Sequence, residues 1–452
     1  MSGGPARTPR VPLTGADCFL RAFDADIARW NGASHVSQLV LRLGPGFDLE
    51  GFSKLLDEAV RAQPILRAPV RRPWGVGAPV YQIGSAGRMP GPPIARHEAE
   101  GAPEPGDALP ELFQRRLNEK RRLRRGELLR VDAVRYGGGA LGTDLALSWL
   151  HLLFDGAGSE RFVAWLDECF RGERSAAELP QPDELDTPSA PRRSLRERGD
   201  AARSWQRWMN GFGEHPIHTL AGPRRRARQA LATDLLTLSA EETERAVANA
   251  ARRAGFLTPM LFHLAAAIRA QHAVYRARGV DPGGYLVPLP VNLRAKGAEG
   301  AIFRTHVSLI WFQALPEVVE DFDALISELK HQRLAAIKAR HVENGIDAME
   351  FSRLAPARLY ARMARRAQRG ELCSFFFAYT GEFAPGLERF CGAEVRNAFH
   401  VAPVPASPGS CIAISHRAGR LNVSHVYQRG VYGEGDLALL RDTLRSDLLE
   451  EG

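Results

Sequence analysis

A change of period between Thr143 and Phe170 constrains this chain more than any other segment. Thr143 to Leu150 is an apolar run of strand length that stops at His151. Three apolar residues follow, then the pair Asp155-Gly156. Beyond it Phe162, Val163, Trp165, Leu166, Cys169 and Phe170 recur at helical spacing. A buried strand that turns tightly into an amphipathic helix belongs to an architecture of layered sheets and helices.

The rest of the chain alternates in the same way. A helix is expected over Gly15 to Trp30 and a strand over His35 to Leu43. Leu49, Phe52, Leu55, Leu56, Ala59 and Val60 mark an amphipathic helix from Asp48 to Gln63, which Pro64 ends. Arg67 to Val70 and Val80 to Ile83 read as a strand pair. In the second half, strands are expected over Leu231 to Leu238, Tyr285 to Val291, Val307 to Ala314, Ser374 to Tyr379, Cys411 to His416 and Leu421 to Tyr427. Thr258-Pro259 reads as an N-cap followed by proline at the first helical position, opening an apolar helix.

At 452 residues the chain is too long for one compact core and suits two domains of roughly 200 residues each. Pro180, Pro182, Pro188 and Pro191 interrupt a charged stretch between the halves. The expected division is therefore a first lobe over 1–173, a Pro/Arg-rich linker with a short helix over 174–229, and a second lobe over 230–452.

Several functions are excluded by pattern. No apolar run reaches the roughly 18 residues of a membrane span, and Met1 to Arg7 has no apolar signal region. Cys18, Cys169, Cys373, Cys391 and Cys411 are scattered, without a C-x-x-C pair, which suits a reducing, cytoplasmic setting. The net charge of +8 gathers at Arg115 to Arg130, Arg192 to Arg198 and Arg224 to Arg228. Such runs either attract an anionic partner or form a solvated face. No aromatics interleave with them as in a single-strand binder, so no nucleic-acid partner is expected. There is no P-loop, nucleophile elbow or metalloprotease helix, and no metal-ligand spacing.

The chemistry-bearing candidate is His151. A histidine at a strand end is held by rigid backbone, and imidazole is suited to taking a proton near neutral pH. The competing reading is a satisfied structural histidine. Asp155 either caps the following helix or holds the turn by a salt bridge, and Gly156 permits backbone that other residues resist.

The segment Leu150-His151-Leu152-Leu153-Phe154-Asp155-Gly156 resembles the His-His-x-x-x-Asp-Gly motif of a superfamily of acyltransferases. That superfamily includes nonribosomal peptide condensation domains, chloramphenicol acetyltransferase, wax-ester synthases and polyketide-associated acyltransferases. Here Leu150 replaces the first histidine, and His151 matches the second, the family's general base. Gln63-Pro64-Ile65-Leu66-Arg67 resembles the family's helix-to-strand junction, whose arginine pairs with the motif aspartate, which implies that Arg67 pairs with Asp155. Leu289-Pro290-Val291-Asn292-Leu293-Arg294 is similar to the wax-ester synthase branch. The resemblance implies an α/β fold of two chloramphenicol acetyltransferase-like lobes, each a mixed sheet with flanking helices, arranged as a V around a central tunnel.

It further implies acyl transfer from a coenzyme A or phosphopantetheinyl carrier thioester to a hydroxyl or amine, with no permanently bound cofactor and no metal. His151 is then the base, Asp155 organises the loop, and the Gly156 N–H is an oxyanion donor. Leu150, Tyr379 and Thr380 are expected to contact substrate. The expected partners are a small-molecule acceptor and an acyl or peptidyl carrier protein, with the chain itself a monomer. Two other functions remain open at this point: a non-catalytic binding or scaffold protein, and a condensation-like enzyme that acts on a carrier-bound intermediate without intermolecular transfer.

Overall fold

The computed structural model describes residues 10–72, 77–101, 108–178, 193–221, 229–294, 302–405 and 407–450. The N-terminal Met1 to Arg7, the prolines of the linker and the arginines at 224–228 lie outside the described residues.

The molecule is an α/β protein of two lobes, each a mixed sheet with flanking helices. The first lobe's sheet has six strands, in the order Arg389–Phe390, Ala393–Val401, Val36–Leu43, Gly142–Leu150, Leu129–Tyr136 and Ile94–Ala99. Val36–Leu43 runs antiparallel to Gly142–Leu150, with Val36 opposite Leu150 and Leu43 opposite Thr143. The helices Leu49–Ala62 and Gly156–Phe170 pack on it, and Phe52, Leu56, Phe162 and Leu166 are fully buried there. Each such side chain contributes about 1.5–3 kcal/mol by leaving water.

The second lobe's sheet has the order Phe376–Glu382, Ser410–Arg417, Arg420–Gln428 and Leu231–Thr237. The helices Pro259–Ala277, Phe322–Lys338 and Glu434–Leu449 share its core. A separate ribbon pairs Tyr285–Asn292 with Val307–Ala314.

The lobes do not divide cleanly along the chain. Ala393–Val401 belongs by sequence to the second half, yet it pairs antiparallel with Val36–Leu43, placing Phe399 opposite Val40. Within the 174–229 stretch, the short helix is the 17-residue helix Leu195–Gly211, opened by a Ser194/Glu197 capping box. Two arginines of that basic cluster are not on a solvated face: Arg193 and Arg198 reach the fully buried Asp347 at 3.0 and 2.8 Å.

Local departures from the expected pattern have simple causes. Pro64–Arg67 forms a 3-10 turn, so the strand after it is only Val70–Arg71. Thr258 does not cap the helix after it; its hydroxyl donates to the Ala254 carbonyl of the helix before. Ser and Thr side chains compete for nearby backbone groups in this way. The basic run 115–130 is partly structural. Arg116 forks onto buried Asp132 at 2.8 Å, and Arg121 donates to the Ser148 carbonyl at 3.0 Å.

Among the described residues, no helix is long and apolar enough to cross a membrane.

Candidate active site

His151 follows directly on the strand Gly142–Leu150, and its N–H donates to the His35 carbonyl at 3.0 Å. The turn after it is closed by its own carbonyls. Phe154 O accepts from the indole N–H of Trp149 at 3.0 Å and lies 3.2 Å from His151 Nδ1. A carbonyl only accepts, so this contact places the His151 proton on Nδ1 and the lone pair on Nε2. Leu152 O accepts from the Tyr81 hydroxyl at 2.8 Å, and Leu153 O from the Arg304 N–H at 2.7 Å.

Asp155 is the N-cap of the helix Gly156–Phe170 and is 1% exposed. Its carboxylate accepts from the Gly158 N–H at 2.8 Å, the His306 N–H at 2.7 Å and Arg294 Nη1 at 2.8 Å. Burial pushes this carboxyl's pKa up, but the Arg294 charge and the three hydrogen bonds more than reverse that, leaving it below the usual carboxylate value. Asp155 is thus fully committed to holding the turn.

Its partner is Arg294, not Arg67. The segment around Arg304 bridges in parallel to Phe154, which carries His306 and Arg294 from the second half onto the turn. Arg67 points elsewhere and donates to the Met89 carbonyl at 3.3 Å.

A cavity of about 300 Å³ lies between the lobes and is lined by His151, Asp155, Gly156, Tyr379 and Thr380, among others. Four of the expected site residues therefore meet the cavity beside His151. Leu150 does not. It points to the opposite face of its strand and is 1% exposed within the first lobe's apolar core. Its neighbour Trp149 lines the cavity instead, on the same face as His151.

Gly156 sits in ordinary helical backbone, so conformational freedom is not its use. A Cβ there would enter the cavity, 3.7 Å from Thr380 Cγ2 and 3.9 Å from His400 Cε1. Its N–H, at the first helical position, has no partner within the helix. Close packing falls instead on Gly158, where a Cβ would sit 2.3 Å from the Ile302 carbonyl oxygen.

Three further residues belong to the site. His35 stacks on His151 with ring centroids 5.3 Å apart. Burial, then the neighbouring His151, holds its pKa well below 6.5. His400, on Ala393–Val401, has its Nε2 3.2 Å from Ser159 Oγ and its Nδ1 3.7 Å from Glu160 Oε1. Burial, with the nearby His151 second, lowers His400 to about 4, while burial raises Glu160 to about 8. Both line the cavity and are neutral at pH 7. His151 itself is lowered by burial, against the pull of its carbonyl contacts and Asp155, so it is an unprotonated base at neutral pH.

Of the other histidines, His425 bonds Ser410 at 2.9 Å and His306 bonds the Phe303 carbonyl at 3.2 Å. Among the described residues no group of three or more His, Cys, Asp or Glu could hold a metal ion.

With this geometry in place, the solved structures resolve the architecture. The chain has the condensation-domain fold. It superposes on the first condensation domain of the calcium-dependent antibiotic synthetase with a TM-score of 0.70 at 19% identity, covering 98% of this chain and 96% of that one. A trichothecene 15-O-acetyltransferase from Fusarium sporotrichioides matches with a TM-score of 0.70 at 13% identity, over 99% of this chain and 97% of that one. The epimerization domain from the third module of tyrocidine synthetase B matches with a TM-score of 0.61 at 15% identity, over 99% and 98%. No family model matches the chain, and no curated protein matches it. One fold thus carries transfer and epimerization chemistry, so function has to be argued from the site.

Proposed function

We propose that the protein transfers an acyl group from a coenzyme A or carrier-protein thioester to a hydroxyl or amine acceptor, with His151 as general base. The observation that carries this reading is the contact of His151 Nδ1 with the Phe154 carbonyl, 3.2 Å away. Nδ1–H is tied to Phe154 O on a rigid turn, which leaves the Nε2 lone pair for the cavity. Nε2 takes the acceptor's proton as its oxygen or nitrogen attacks the thioester carbonyl. The carbonyl oxygen gains negative charge beside the Gly156 N–H. The C–S bond then breaks, and the departing thiolate takes the proton from His151. Base catalysis of this kind contributes about 10²–10⁴-fold, with positioning supplying much of the rest. No bound cofactor is needed; the thioester is a co-substrate.

The position of Leu150 supports this reading over a non-catalytic scaffold. A residue facing the apolar core cannot take part in cavity chemistry, so the replaced first histidine removes nothing from the reacting face.

The test is turnover of a panel of acyl thioesters with alcohols and amines, compared with His151→Ala. Loss of about 10²-fold or more in the variant is expected. Equal turnover would remove His151 as base.

One observation favours a second reading. Glu160 and His400 form another pair of proton-handling groups in the same cavity. Two such centres suit proton abstraction and return on a carrier-bound intermediate. Solvent deuterium appearing in a recovered acyl thioester without acceptor would favour that reaction over transfer.

A further inference from the structure

A second, smaller cavity lies behind the first. Its accessible volume is about 70 Å³, and it sits between the helices Gly15–Trp30, Leu195–Gly211, His341–Ser352 and Ala357–Ala364. Phe19, Leu309 and Met349 line both cavities, so the partition between them is three apolar side chains. Its other walls include Trp205, Met209, Trp311, Ala348, Met363 and Ala364, and among the described residues no charged side chain lines it.

Several polar groups on these walls already donate elsewhere. Ser308 donates to the Val342 carbonyl at 2.9 Å, Ser352 to the Ala348 carbonyl at 2.9 Å, and Gln206 to Asn210 at 2.9 Å. Trp311 Nε1 is buried without a partner, but it offers one donor, and a buried water needs two to four partners. A space lined mainly by apolar side chains offers a water few partners and accepts an apolar guest. Met349 is unbranched and flexible, which makes the partition movable. Met363, on one wall, is 51% exposed, so an apolar side chain meets solvent there.

We propose that this pocket, entered past Met349, seats an unbranched alkyl chain of the substrate whose reacting end lies at His151. The proposal rests on the acyl-transfer reading for what happens at His151, but the pocket is testable without turnover. The chain belongs either to the acyl donor or to the acceptor, and both present the same methylene surface.

The test uses the full-length protein and the displacement of an environment-sensitive fluorescent fatty acid by saturated fatty acids from acetate to palmitate. Affinity is expected to climb about four-fold per buried methylene until the pocket is full. Ala364→Trp and Ala348→Phe each fill the pocket away from His151, and both are expected to lower the ratio of long-chain to short-chain binding by tenfold or more. Two variants on different helices guard against one misfolding. Met349→Ala opens the partition and raises that ratio.

Binding independent of chain length in the wild type would overturn the proposal, as would an unchanged ratio in both filled variants with native circular dichroism. Turnover with graded acyl-coenzyme A and one acceptor, and then with graded alcohols and one donor, assigns the chain to its source. Chain-dependent binding without turnover on any pair leaves the pocket standing and removes the transfer reading. Turnover without chain dependence does the reverse.

Discussion

Asp155 and Arg294 meet at 2.8 Å with side chains 2% and 1% exposed, tying the turn after the first lobe's central strand to the end of a ribbon from the second half. Removing one member leaves the other charge buried and uncompensated. Arg294→Met is therefore expected to cost about 3–5 kcal/mol in urea denaturation. Arg67→Ala should leave His151 chemistry intact, because Arg67 does not reach the turn. A variant at Arg294 as stable as the wild type would contradict this account.

Leu150→His restores the residue of the fuller motif in the wrong environment. The imidazole would face the apolar core without a partner, at a cost of about 1–3 kcal/mol. No gain in turnover is expected. A more active and equally stable variant would show that position 150 reaches the cavity.

Two neighbouring glycines should behave oppositely. Gly158→Ala drives a Cβ into the Ile302 carbonyl, and overpacking of this kind costs about 1–3 kcal/mol. Gly156→Ala meets only ordinary contacts, so its melting temperature should hold while the added methyl narrows the space at Thr380 and His400. The signature is a raised KM in a stable protein.

The sequence exposes what is local and hides what is brought together from afar. Leu49–Ala62 falls where periodicity and Pro64 put it, because its apolar face and stop signal are contiguous, and Gly15–Trp30 matches the helix expected there. His151, Asp155 and Gly156 are contiguous too. Arg294 was hidden because its partner lies 139 residues away. The usable signal was its place at the end of Leu289 to Arg294, a stretch already similar to one branch of the superfamily. His35 was hidden as a lone histidine at the start of an expected strand, yet strand register sets it beside His151. Glu160 and His400 carry no motif, and the helix His341–Ser352 has too mixed a surface to read from periodicity.

The buried histidines set the acid limit of stability. Burial lowers His35 and His151 below 6.5, His400 to about 4, and His263 and His425 to about 3. Below 6.5 the unfolded chain therefore binds more protons than the folded one, and stability falls as pH drops. Each histidine contributes a slope of about 1.4 kcal/mol per pH unit until its folded pKa is reached. Urea midpoints should decline steadily from about pH 6.5 downward. By the same burial of His151, the acid limb of kcat/KM should lie below pH 6.5.

Glu160 acts with the opposite sign. Its folded pKa of about 8 exceeds that of the unfolded chain, so stability present at low pH is lost as pH rises toward 8. Glu160→Gln, which cannot ionise, should gain on the wild type by up to about 1.4 kcal/mol per pH unit between about pH 4.5 and 8. A constant difference across that range would place Glu160 in contact with water.

The strand Ala393–Val401 has a consequence for biosynthesis. Until it is translated, Val36–Leu43 is the open edge of the first lobe's sheet, presenting unpaired N–H and carbonyl groups to any other strand. The 349 residues from 44 to 392 separate the two strands in the chain, so the first lobe's sheet cannot be finished until most of the second lobe has been made. The nascent chain must carry that exposed edge while those residues are made, and the wall bearing His400 is added late.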